Sequence, residues 1–257
     1  MVLDKLLELS VLAGEVVRNG FRKKINIQYK TNDSNLVTEI DKKSEQVIVD
    51  YISKNFPSHG ILAEEGSDFN RSSDYLWVID PLDGTTNFAH GLPIFAVSIG
   101  VMKNGEIIAG AVNDVMRDKI YFAEKGTGAF EGERRLSVGS NEILKHSVLV
   151  TGFPYDIANN PGNALEIFVE FIKKTRAIRR LGAASIDFCY VADGVFDAFW
   201  EVHLSPWDIC AGKLIVEEAG GVVTDFHGKP TDIFTKRILA SNGKIQEPVL
   251  EVLKPYL

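Results

Sequence analysis

Leu3, Leu6, Leu7, Leu9, Ala13, Val16, Val17 and Phe21 recur at roughly helical spacing, so residues 3–24 predict a helix with one apolar stripe. A second helical pattern runs from about Asp41 to Lys54 and stops ahead of Pro57, whose ring disfavours helix at the residue before it. Between the two, Lys30-Thr31-Asn32-Asp33-Ser34-Asn35 is polar turn chemistry and predicts a mobile loop. Strand-like runs follow at 60–63, 75–80, 94–102, 107–115 and 120–123, with Asn104-Gly105 as a hairpin turn between two of them. Pro81 has no N–H to donate, so the run at 75–80 is expected to end there. After about residue 145, strand-like 148–150, 177–180 and 196–200 alternate with helical 164–174, 183–192 and 206–219. Such alternation predicts α/β layering. The expected organisation is a single domain over 1–257, with an antiparallel α+β half over about 1–144 and an α/β half over about 145–257.

Composition adds constraints. With 257 residues, 45% hydrophobic and 25% charged, the chain is long enough to bury a substantial core without disulfides or metal staples. Its two cysteines, Cys189 and Cys210, sit in apolar helix-like segments and read as reduced, buried thiols of a cytoplasmic protein. Asp4, Lys5 and Glu8 interrupt the first apolar stretch, unlike a signal peptide. No run of ~18 uncharged apolar residues predicts a membrane span. A net charge of −7 argues against nucleic-acid or anionic-membrane partners, which need basic surfaces.

The chemistry concentrates in Trp77-Val78-Ile79-Asp80-Pro81-Leu82-Asp83-Gly84-Thr85-Thr86-Asn87. A buried strand that breaks into a tight turn carrying Asp80 and Asp83 places two carboxylates close enough to share metals, with the Leu82 carbonyl as a further oxygen between them. Gly84-Thr85-Thr86 would open a short helix whose free N–H groups suit a phosphate. Glu64-Glu65 ends another predicted strand. In Ser205-Pro206-Trp207-Asp208, Ser205 is a plausible N-cap and Pro206 a first-turn residue. Taken alone, Glu64-Glu65 reads more often as a solvated loop and Asp208 as a helix-dipole partner. Oxygen-only donors favour Mg²⁺ or Mn²⁺. His59, His90, His146, His203 and His227 are scattered without ligand spacing, which argues against catalytic zinc. Haloacid-dehalogenase phosphatases carry Asp-x-Asp-Gly-Thr after an apolar strand near the chain start. Here one more residue separates the aspartates and the motif lies at residue 80, which favours a metal-activated water over a covalent intermediate.

These motifs resemble those of the inositol monophosphatase family over nearly the whole chain. The matching segments are Trp77 to Asn87, Ser205 to Gly212, Glu64-Glu65, Lys30 to Asp41 and Gly182-Ala183-Ala184, in the family's order. The resemblance implies an αβαβα five-layer sandwich, usually a homodimer, and a lithium-sensitive phosphatase with two to three Mg²⁺. Glu64, Asp80 and the Leu82 carbonyl would bind the first metal, and Asp80, Asp83 and Asp208 the second. A third, weaker metal would lie near Glu64, with Asp41 and the Lys30 loop beside it. Glu64 and Thr85, hydrogen-bonded to each other, would position the attacking water. Gly84 and Thr85 would hold phosphate, Glu201 the substrate hydroxyls, and Ala184 and Arg179 would line the pocket; Leu82, Asp83 and Asp208 also face substrate. The implied reaction is hydrolysis of myo-inositol monophosphate. Alternatives are fructose 1,6-bisphosphate, 3′-phosphoadenosine 5′-phosphate and, in a different class, a catalytically idle dimeric binding protein. Gly182-Ala183-Ala184 departs from the family by removing a hydroxyl near the substrate, and His203-Leu204-Ser205 differs from several animal members.

Overall fold

The computed structural model describes residues 2–24, 26–30 and 35–257; the loop expected at 30–35 falls mostly on residues 31–34, outside this set. Helices α1 (Val2–Gly20) and α2 (Glu39–Asn55) are connected through a short antiparallel ribbon of β1 (Ile27–Tyr29) and β2 (Leu36–Thr38). Helix α2 starts two residues earlier than its apolar pattern suggests, because Thr38 caps it and Asp41 closes a capping box.

A seven-stranded sheet follows in sequence order: β3 (Gly60–Ala63), β4 (Tyr75–Asp83), β5 (Ala96–Lys103), β6 (Glu106–Asp114), β7 (Lys119–Glu124), β8 (Gly128–Glu131) and β9 (Arg134–Arg135). Only β3 and β4 pair in parallel. The short helix α3 (Thr85–Ala89) leaves the end of β4. A second sheet has the order β11-β10-β12-β14-β13, built from β10 (Val148–Thr151), β11 (Ala177–Arg179), β12 (Ala198–Val202), β13 (Val222–Thr224) and β14 (Arg237–Ser241). Its parallel strands β10, β11 and β12 alternate with α4 (Ala164–Lys174) and α5 (Ala184–Ala192), while α6 (Pro206–Glu218) and α7 (Gln246–Leu253) complete the helices.

Side-chain alternation along the strands sets the layers. Trp77 and Ile79 of β4 pack with Leu6, Leu9, Ile48 and Ile52 of α1 and α2, while Val78 points the other way, to Cys210 of α6. In β12, Ala198, Trp200 and Val202 pack outward against α4 and α7, and Phe199 points inward to Phe188 of α5. The stack is therefore α1/α2, seven-stranded sheet, α5/α6, five-stranded sheet, α4/α7: the layered α+β sandwich expected. Both cysteines are free and buried in its central layer.

Two departures concern the strands. Strand β4 does not stop at Pro81 but continues to Asp83, with a register shift between Asp80 and Asp83. A bulge leaves Pro81 and Leu82 out of the ladder, so the missing proline N–H is not needed there. Strands β8, β9, β13 and β14 carry too few residues, or too mixed a pattern, to stand out in the sequence.

The central helix layer depends on close approach. A Cβ on Gly110 of β6 would lie 2.8 Å from the Ala211 Cα, and one on Gly100 of β5 2.3 Å from the Cys210 Sγ. Gly110→Ala pushes α6 off the sheet. Its expected cost is about 1–3 kcal/mol, read as a lower melting temperature with an unchanged far-ultraviolet circular dichroism spectrum.

Candidate active site

The site is a cleft of about 560 Å³ where the ends of β3, β4 and β12 meet the starts of α3, α5 and α6. Lys30, Glu64, Asp80, Leu82, Asp83, Gly84, Thr85, Ala184, Glu201 and Asp208 all line it. Residues from six separate stretches of sequence thus line one cleft.

The bulge after Asp80 builds the central turn. The Leu82 N–H donates to Asp80 Oδ1 at 3.0 Å, and Ser44 on α2 donates to the Pro81 carbonyl at 2.9 Å. Gly84 then takes φ +91°, which reverses the chain into α3; a Cβ there would be 3.0 Å from the Ile94 carbonyl and strained as well. Asn87 on α3 donates to the carbonyls of Ile94 and Leu181, each at 2.8 Å, tying this turn to the approach of α5.

Thr85 has a different partner from the one expected. Its hydroxyl lies 2.8 Å from Asp41 Oδ1 and 3.0 Å from the Leu82 carbonyl, and it does not bond Glu64. Asp41 is fully buried, and its other oxygen accepts from the N–H and hydroxyl of Thr38. The capping box of α2 thereby aims one carboxylate oxygen at Thr85. Burial raises the Asp41 carboxyl above its ordinary range, against the opposing hydrogen bonds of Thr38 and Thr85.

Glu64 instead accepts from Lys30 Nζ at 2.9 Å, and Lys30 also bonds Glu65. The Glu64-Glu65 turn is pinned from below by Glu45, which accepts from Glu65 N at 2.8 Å and from the Ser67 hydroxyl at 2.6 Å. Asp83 Oδ2 accepts from Ser185 N at 2.7 Å and from the Ser185 hydroxyl. Ser205 is the N-cap residue of α6, and its N–H donates to Asp208 Oδ2 at 2.7 Å. One expected pocket residue is misplaced: Arg179 is exposed, bonds the Ile178 carbonyl at 3.0 Å and does not line the cleft, whereas Arg180 does. Arg179 is the last residue of β11 and Arg180 the first beyond it, so one position separates the sheet from the cleft.

Sequence reasoning missed the roles of Glu45, Ser185 and Asn87. Glu45 was detectable: Asp41, Ser44, Glu45 and Ile48 share the buried face of α2, and polar residues on a core stripe need partners. Ser185 follows directly on the Gly182-Ala183-Ala184 stretch and returns a hydroxyl to that region, directed at Asp83.

Four acidic groups drawn together in a dry cleft repel one another. Burial, then the charges of Glu64, Asp83 and Asp208, holds the Asp80 carboxyl well above its usual range. Burial and Asp83 do the same to Asp208. Asp83 is pushed up to about 6 by burial, with the Ser185 hydrogen bonds opposing. As the side chains stand, no three His, Cys, Asp or Glu among the described residues are arranged to hold a metal ion, because Glu64, Asp83 and Asp208 are each turned onto an internal donor. The donor set nonetheless fits a hard divalent cation. It is all oxygen, acidic, buried and short of positive charge, with Lys30 the cation bonded to it.

The profile of the inositol monophosphatase family matches residues 2–256. The chain is 43% identical to the chloroplastic phosphatase IMPL1 of Arabidopsis thaliana, over 98% of this chain and 70% of that protein. It is 41% identical to the fructose-1,6-bisphosphatase/inositol-1-monophosphatase of Aquifex aeolicus, over 99% of this chain and 97% of that one. The solved structure of the extragenic suppressor protein suhB from Bartonella henselae superposes with a TM-score of 0.94 at 36% identity, covering 100% of this chain and 99% of that one. The chain belongs to the inositol monophosphatase family, and its activity class is that of a phosphatase.

Proposed function

We propose that the protein hydrolyses myo-inositol monophosphate to inositol and phosphate with Mg²⁺, or Mn²⁺ in its place, held by Glu64, Asp80, Asp83, Asp208 and the Leu82 carbonyl. The observation that carries this reading is the meeting of two features in one cleft: a carboxylate cluster beside the Asp41–Thr85 hydrogen bond, and Glu201 of β12 in the same lining. Bound divalent ions would supply the charge that lets a phosphate dianion enter and would polarise the attacking water and the leaving oxygen.

The chain's own residues supply position. Thr85 donates its proton to Asp41, which leaves its oxygen lone pairs free to accept from a water lying over the cleft. Asp41, held by three donors, is the base at the end of that relay, and burial raises its carboxyl above the ordinary range. The backbone N–H groups of Gly84 and Thr85 would take phosphate oxygens, and Ser185 holds Asp83 in one rotamer. Glu201, on the inward face of β12, would accept from substrate hydroxyls; its carboxylate lies over Gly152, where a Cβ would come within 2.2 Å.

Fructose 1,6-bisphosphate is a second reading. Arg180 in the cleft wall offers a cation to a further phosphate, and the Aquifex relative's name carries both activities. Phosphate release from inositol 1-phosphate, fructose 1,6-bisphosphate and 3′-phosphoadenosine 5′-phosphate, each with Mg²⁺, decides between them. The highest kcat/KM is expected on inositol 1-phosphate. A preference of tenfold or more for either other ester would replace the proposed substrate.

A further inference from the structure

Beyond the donors and the Asp41–Thr85 pair, the lining of the cleft holds one buried acid with no role above, Asp156 at its mouth being exposed. Asp187 lies in the cleft wall, is 1% exposed, and neither of its carboxylate oxygens has a hydrogen-bond partner. It stands three residues beyond Ala184 on α5, and both line the cleft. Residues three apart share a helix face, so the side chain is directed to the substrate end and away from the core face of Ile186 and Cys189. Other buried acids of the site have donors: Asp41 has Thr38 and Thr85, Asp83 has Ser185, and Glu45 has Ser67. A carboxyl in so dry a place is costly unless something donates to it. The start of α5 offsets part of that cost, since the helix dipole favours an acid in its first turns.

We infer that Asp187 is a specificity-determining residue, which with Glu201 forms an acidic end of the cleft that accepts the hydroxyls of an otherwise uncharged polyol and rejects alcohols bearing a second phosphate. The inference rests on the cleft being the phosphatase site, and it commits to a substrate class, the polyol monophosphates. A polyol supplies several O–H donors at fixed angles, which is what two acceptor-rich side chains lining one cleft from α5 and β12 require. A second phosphate presents only acceptors and negative charge to the same two groups, and Arg180 at the rim is one cation against two acids. Selection then arises as much from repulsion of the wrong substrate as from attraction of the right one.

The test compares Asp187→Asn and Asp187→Ala with the wild type on three esters: inositol 1-phosphate, fructose 1,6-bisphosphate and p-nitrophenyl phosphate, which has no hydroxyls. For Asp187→Ala, kcat/KM on inositol 1-phosphate is expected to fall tenfold or more, chiefly through KM, while p-nitrophenyl phosphate hydrolysis stays within about twofold. Asp187→Asn keeps an acceptor and removes the charge; it retains most inositol phosphate activity and raises the bisphosphate-to-inositol-phosphate ratio at least fivefold. Equal losses on all three esters would make Asp187 a structural residue, and an unchanged ratio in Asp187→Asn would remove the repulsive role; either result overturns the inference. Wild-type phosphate release from inositol 1-phosphate with Mg²⁺ checks the cleft itself separately, and its absence would overturn both readings.

Discussion

Asp83→Asn is expected to lower kcat by roughly a thousandfold at saturating Mg²⁺, the equivalent of about 4 kcal/mol of transition-state stabilisation. Asp83 stands between the two halves of the cleft, at the end of β4 and hydrogen-bonded to the second residue of α5. An amide can still accept from Ser185, so the loop geometry is kept while one negative charge is removed. The same substitution should stabilise the metal-free protein, because it relieves repulsion among Asp80, Asp208 and Glu64. The sign follows from proton linkage. The Asp83 carboxyl titrates at about 6 in the folded chain against 3.8 ordinarily; the unfolded chain therefore gives up this proton first, and metal-free stability falls as pH rises through that window. In Asp83→Asn this part of the loss disappears. Thermal melts between pH 4 and 7 without metal, and again with Mg²⁺, measure it. A kcat unchanged at saturating Mg²⁺ would exclude Asp83 as a metal donor, and an unchanged metal-free pH profile would exclude the repulsion.

Thr85→Ala is expected to reduce kcat about a hundredfold with a smaller change in KM, the signature of an interaction made mainly in the transition state. Asp41→Asn should reproduce most of that loss, since the carboxylate acts through the threonine hydroxyl 2.8 Å away. The double variant then loses little more than either single one, because the two groups work as one unit. Additive losses would separate them, and a change confined to KM would make Thr85 a substrate contact. Asp41 also accepts from Thr38 in the cap of α2, so a melting curve for Asp41→Asn accompanies the kinetics to separate lost catalysis from a frayed helix.

The expected metal donors were legible because their signals are local. Asp80, Asp83 and Gly84 lie within one turn, and Ser205-Pro206-Trp207-Asp208 is a helix start whose cap chemistry is written in four residues. The amphipathic stripe of α1 and the hairpin at Asn104-Gly105 were legible for the same reason: a periodic or turn-specific pattern needs no distant partner to be read. The sequence by itself determined which elements form around the site and which acids stand at their ends.

Tertiary structure decided what those acids face. Thr85 bonds Asp41 and not Glu64 because the capping box of α2, 44 residues away in sequence, turns a carboxylate oxygen toward α3. Arg180 enters the cleft in place of Arg179 because β11 ends at Arg179, which pairs opposite Val150 of β10, and the chain leaves the sheet at Arg180 toward Gly182 and the start of α5. Strand β4 runs through Pro81 because a bulge against β5 removes the need for its N–H. Asp187 reaches the cleft because α5 packs between the two sheets with Ala184 and Asp187 both at the cleft lining. Each of these depends on the relative placement of segments far apart in the chain. Sequence pattern reports a residue's burial and periodicity, but the direction of a hydrogen bond is fixed only when the layers meet.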